Sequence, residues 1–144
     1  MGKPKVMFLC SGNSARSQMA EGWLRHLAGD RFDVVSAGTE PSSVNPLAVA
    51  VMRERGVDIS AQTSKAVGQF LGDSFAYLIT VCDNAREKCP IFPGAVKRIH
   101  WPLDDPAAAA GSDAERRAVF RRVRDEIETR MRAWLQEQQQ GTAA

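Results

Sequence analysis

The apolar positions of this chain fall in short blocks that switch between continuous runs and helical spacing. Val6-Met7-Phe8-Leu9 is an unbroken apolar run, so Lys5 to Leu9 is predicted to be a buried strand. Ser17 to Leu27 reads as a helix. Gly29-Asp30 punctuates before a second strand, Phe32 to Ala37, which Gly38 ends. A turn-rich stretch runs from Thr39 to Ser43. Asn45 is then expected to cap a helix that has Pro46 at its first position and that Gly56 stops. Ala76 to Cys82 is the third predicted strand and Val96 to Trp101 the fourth. Ser112 and Glu115 form a capping box that opens a long last helix. Phe120, Val123, Ile127, Met131 and Trp134 put one apolar face along it. Residues 1–137 are expected to form the domain, and 138–144 a frayed, disordered tail.

Strands that alternate with helices imply a parallel sheet. The predicted fold is α/β: a single domain with a four-stranded parallel sheet and helices on both faces. In such sheets ligands bind beyond the carboxyl ends of the strands. Cys10 and Cys82 fall at two of those ends, and Asp105 follows the fourth strand on the same rim.

Composition narrows the class. A length of 144 residues suits one domain, and 25% charged residues is ordinary for a soluble protein. A net charge of +2 is too near neutral to suggest nucleic acid. No apolar run approaches a membrane span, and the first hydrophobic segment is too short for a secretory signal. Gly2 lacks the myristoylation context, because Val6 stands where Ser or Thr is wanted. The expected location is the cytoplasm, and the expected state a monomer. An odd count of 3 cysteines argues against a disulfide framework.

The chemistry starts at Cys10. It is followed by Ser11, Gly12, Asn13, Ser14, Ala15, Arg16 and Ser17, a small polar loop between a strand and a helix. A loop that enters a helix N-terminus aims several N–H groups at one spot, where the helix dipole favours an anion. A cysteine there is favoured as the thiolate. Arg16 adds a planar fork that matches two oxygens of a tetrahedral oxyanion. Gly12 and Asn13 both tolerate positive φ. Displacing an oxygen from such an anion requires a proton donor, and Asp104 or Asp105 can supply it; Asp before Pro106 is also an ordinary turn signal. Cys82 and Cys89 flank a helix-compatible stretch that Asp83 would begin. Positions seven apart on a helix lie about 10.5 Å apart along its axis, whereas a disulfide needs Cα atoms within about 7 Å. The two thiols are either unrelated or can pair only if Asp83 to Lys88 unwinds. His26 and His100 read as structural, and the Arg/Glu run from Glu115 to Arg132 as a solvated helix face. No metal-ligand spacing occurs, so neither a metal nor another cofactor is expected.

The loop from Cys10 to Ser17 resembles the Cys-x5-Arg-Ser loop of the low-molecular-weight tyrosine phosphatase fold. With Cys82, Cys89, Gln18 to Gly22, Ser36-Ala37-Gly38, Val44-Asn45-Pro46 and Trp101 to Ala107, the chain resembles the thioredoxin-coupled arsenate reductases. The similarity runs from the first strand to the start of the last helix. The resemblance implies that Cys10 attacks arsenate held by Arg16 and the amides of Ser11 to Arg16, that Ser17 stabilises the thiolate, and that Asp105 protonates the leaving hydroxyl. It implies a relay in which Cys82 attacks Cys10, arsenite leaves, and Cys89 draws the disulfide outward for thioredoxin. Phosphate or sulfate would occupy the same loop. Some members bind potassium through residues that match Asn13, Glu21 and Ser36 plus an acidic group; here Lys65 stands in the acidic place, and no potassium site is expected. A tyrosine phosphatase would have no use for Cys82 and Cys89, and an arsenite-binding or redox-sensing protein no use for Arg16 and Asp105.

Overall fold

The computed structural model describes residues 2–82 and 95–143. Cys89 and the helix expected from Asp83 to Lys88 lie outside the described residues. Four strands form one sheet: β1 (Lys5–Cys10), β2 (Asp33–Gly38), β3 (Phe75–Thr80) and β4 (Ala95–His100). The order is β2-β1-β3-β4 and every pairing is parallel. Three helices accompany it: α1 (Arg16–Ala28), α2 (Pro46–Arg53) and α3 (Asp113–Ala143). No helix among the described residues is long and apolar enough to cross a membrane.

The apolar run of β1 explains its place. Successive strand residues point to opposite faces of a sheet. Val6, Met7, Phe8 and Leu9 are all 0% exposed, so both faces of this strand are covered. The edge strand β4 is mostly exposed over Val96, Lys97 and Arg98. On one side α1, α2 and α3 pack against one another, and Phe120, Val123, Ile127 and Met131 of α3 are fully buried, as their spacing predicts. The capping signals work as expected. Asn45 Oδ1 accepts from Leu47 N at 2.9 Å, and Ser112 and Glu115 exchange side-chain to backbone bonds at 3.1 and 3.2 Å.

Most strand and helix boundaries shift by one or two residues from the sequence prediction, and two of the shifts matter. β3 ends at Thr80 and not at Cys82, because its pairing with β4 stops where Thr80 meets His100. Cys82 therefore sits in a bend just past the strand. At the other end, α3 continues to Ala143, through the Gln-rich stretch set apart as a tail; Gln is a good helix former. The Tyr77 hydroxyl of β3 donates to Gln138 Oε1 of α3.

Candidate active site

β1 delivers Cys10 to the rim of the sheet, in register with Gly38 at the end of β2. The chain then makes a tight loop, with Asn13 in the left-handed region at φ 47°. Asn tolerates that conformation because its short polar side chain bonds locally. The helix α1 opens at Arg16 with no side chain capping Ala15, so its first amides are left for a ligand.

The segment after β2 orients this loop. Thr39 N donates to Cys10 O at 3.1 Å, Glu40 N to Ser11 O at 2.8 Å, Ser42 N to Gly12 O at 3.0 Å and Asn45 N to Ser14 O at 3.0 Å. Gln18 Nε2 donates to Asn13 O at 3.0 Å. A trans peptide sets its N–H opposite its C=O, and the described chain contains no cis bond. With the carbonyls drawn outward, the amides that follow them turn inward, around Cys10. Gly38 makes the close approach feasible. A Cβ there would lie 2.5 Å from Ser11 O and 2.9 Å from Asn13 N, both backbone atoms. Sequence reading saw 39–43 only as a turn and missed this bracing role, since backbone donors leave no residue signature.

Behind the loop lies a buried polar chain. Lys65 N donates to Asn13 Oδ1 at 2.8 Å, which fixes how the Asn13 amide is turned. Its Nδ2 group then donates to Ser17 Oγ and to Ser36 Oγ, both at 2.9 Å. The Ser36 hydroxyl donates to Glu21 Oε1 at 2.5 Å. The predicted substrate residue Asn13 is thus fully buried with its side chain turned into this network, so only its backbone remains to meet an anion. Ser17 is fully buried too, 2.8 Å from Cys10 Sγ.

In front of the loop is a cavity of about 680 Å³. Cys10, Ser11, Gly12, Ser14, Ala15 and Arg16 line it, together with Cys82 and Asp105. Residues that the sequence placed on three strand ends therefore share one site. Arg16 Nη1 donates to Leu103 O at 3.0 Å, and its Nη2 lies 3.8 Å from Asp105 Oδ2. Asp105 Oδ1 accepts from Ala107 N at 3.0 Å, which caps the short 3-10 turn Pro106–Ala108. Asp104 also borders the cavity but pairs with Arg122 of α3 at 3.2 Å. Of the two carboxylates, Asp105 is the one that faces Arg16. Cys82 Sγ lies 3.6 Å from Ser11 Oγ, so a second sulfur stands at the loop itself.

The sequence analysis gave no site role to Ser42, Pro102, Leu103 and Ala107, which complete the lining. No aromatic side chain lines the cavity among the described residues. Trp101, just before the acidic loop, is buried against Phe8 instead, with ring centroids 6.0 Å apart.

Asn13, Ser36 and Glu21 gather as a potassium site of the resembled family would require. The fourth place does not fit. Lys65 Nζ lies 3.8 Å from Glu21 Oε1 and donates to Thr63 O at 2.6 Å, while Arg25 Nη1 holds Glu21 Oε2 at 2.7 Å. Two fixed cations already face one carboxylate, and a third would be repelled.

The model of the low molecular weight phosphotyrosine protein phosphatases matches residues 5–143. The chain belongs to this family. Within it, the chain is 50% identical over 136 residues to an arsenate reductase of Halalkalibacterium halodurans, covering 94% of this chain and 98% of that protein. Among solved structures, an arsenate reductase in the phosphate binding state superposes with a TM-score of 0.80 at 36% identity, over 93% of this chain and 98% of the other. A thioredoxin-dependent arsenate reductase of Corynebacterium glutamicum gives a TM-score of 0.75 at 30% identity, over 96% of this chain and 63% of that one. The fold is accordingly the low-molecular-weight phosphatase fold, as the Cys10–Ser17 loop suggested.

Proposed function

We propose that this chain reduces arsenate to arsenite and is regenerated by thioredoxin. The observation that carries the reading is the presence of Cys82 beside Ser11 in the cavity of Cys10. Hydrolysis of a phosphate ester needs one sulfur, whereas two-electron reduction of an oxyanion needs two. A relative named arsenate reductase, 50% identical over nearly the whole chain, supports the same reading.

The residues carry the steps as follows. Arsenate sits on the inward amides of residues 11–16, with the Arg16 guanidinium against its oxygens. Cys10 thiolate attacks arsenic, and Asp105 gives its proton to the departing hydroxyl, which leaves as water. Cys82 thiolate then attacks Cys10 Sγ. The S–S bond forms, the S–As bond breaks, and its electron pair stays on arsenic, which leaves as arsenite in the +3 state. Cys89 thiolate next attacks Cys82 Sγ and frees Cys10 as thiolate. A dithiol thioredoxin reduces the Cys82–Cys89 bond and takes the oxidation away as its own disulfide. Among the described residues no aromatic lines the cavity, which weighs against phosphotyrosine, whose ring such residues would stack on.

The test is incubation with arsenate, thioredoxin, thioredoxin reductase and NADPH, with arsenite measured directly. Catalytic arsenite production that Cys10→Ser abolishes is expected. Hydrolysis of an aryl phosphate with no arsenite formed would select the phosphatase reading.

A further inference from the structure

We propose that Lys65 is a built-in cation that holds the hydrogen-bond chain behind Cys10 in its productive orientation, so that the loop needs no added monovalent ion. The reason lies in how Glu21 is gripped. This carboxylate is buried, and a cation faces each of its oxygens: Arg25 Nη1 at 2.7 Å from Oε2, and Lys65 Nζ at 3.8 Å from Oε1. Arg25 is itself anchored, with Nη2 donating to Val34 O at 2.8 Å. Were Arg25 the sole partner, the carboxylate would be free to turn toward it and away from Ser36. The ammonium opposes that rotation and keeps Oε1 as the acceptor of the Ser36 hydroxyl.

The consequence reaches Cys10 by donor direction alone. With Ser36 donating to Glu21, its oxygen can accept one Asn13 Nδ2 hydrogen; the other goes to Ser17 Oγ. Ser17 Oγ is thereby an acceptor toward Asn13, and its own hydrogen is available to a Cys10 thiolate 2.8 Å away. Lys65 serves the chain twice, through its backbone N on Asn13 Oδ1 and through its ammonium on Glu21. Only the second service is removed by side-chain substitution, which makes it separable. The side chain is partly solvent-accessible, so its electrostatic share is modest. Lys65 touches no reacting atom; it is a positioning residue.

The proposal concerns the Cys10 sulfur and stands whichever oxyanion the loop receives. It is tested by peptide-resolved alkylation of Cys10 with iodoacetamide, at one pH and constant ionic strength, in KCl and in NaCl. The natural chain should react at the same rate in both salts. Lys65→Met should slow Cys10 alkylation about twofold to fivefold, with an unchanged near-UV circular dichroism spectrum, and Lys65→Arg should recover most of that loss. Lys65→Asp should be slow in NaCl and partly restored by KCl. An undiminished rate in Lys65→Met, or a natural chain that KCl accelerates over NaCl, would overturn the proposal.

Discussion

Cys10 Sγ and Ser17 Oγ lie 2.8 Å apart, and once Cys10 is a thiolate the hydrogen between them is the serine's. The assignment follows from the neighbours. Lys65 N fixes Asn13 Oδ1 and Asn13 Nδ2 occupies a lone pair of Ser17 Oγ, which leaves the serine hydrogen available to a thiolate, a sulfur that can only accept. A hydroxyl aimed at sulfur stabilises the thiolate that the proposed chemistry uses.

Ser17→Ala removes that donor. A hydrogen bond to a charged group is worth about 1.5–3 kcal/mol, so Cys10 alkylation and arsenate turnover should each slow by roughly tenfold or more. Phosphate should still protect Cys10, because the loop amides and Arg16 remain. Alkylation kinetics with and without phosphate check both parts.

Asp105 and Asp104 are adjacent but differently engaged, by Arg16 and by Arg122 respectively. Asp105→Asn should lower the rate of arsenate reduction roughly a hundredfold, the lower range for a general acid. Asp104→Asn should cost far less, since an exposed ion pair contributes little. Single-turnover rates of the two variants decide which carboxylate is the acid; a larger loss in Asp104→Asn would reverse the assignment.

The route from sequence to site was clearest where a local pattern had a local cause. The apolar run of β1, the Asn45–Pro46 start of α2 and the Ser112–Glu115 box each reappear as drawn from the residues. The strand ends slipped by one or two positions because pairing with a neighbour, not the apolar run, ends a strand. Long-range polar contacts left little trace. Leu103 holds Arg16 through its carbonyl oxygen, which every residue possesses. Arg124 reads as one more charge on a solvated helix face, yet it is 4% exposed and bonds Val51 O and Glu54 Oε1, each at 2.8 Å. Charge patterning along a helix does not say which arginine the next helix will cover.

Gly38→Ala should damage both fold and site. Its new Cβ would press on Ser11 O and Asn13 N, and backbone cannot yield as a flexible side chain would. Overpacking of this kind costs about 1–3 kcal/mol. A lower denaturant midpoint, together with weaker protection of Cys10 by phosphate, is expected.

Glu54 ties α2 to α3. Its hydrogen bond from Arg121, and a second from Arg124, hold the carboxyl well below its usual value, at about 2. The unfolded chain therefore binds the extra proton between about 4.5 and 2. The contribution of Glu54 to stability is complete above that window and is lost as pH falls through it. Urea midpoints at pH 5 and pH 2.5 should show Glu54→Gln less stable than the natural chain at the higher pH, with the gap narrowed at the lower.

The central claim is that Cys10 and Cys82 share one arsenate between them, and Cys89→Ser tests it most directly. That variant, mixed with excess arsenate and no thioredoxin, should release one arsenite per chain and stop. Peptide mapping should then find a Cys10–Cys82 disulfide. Arsenite release with all remaining thiols still reduced, or no release despite a loop that phosphate still protects, would contradict the relay.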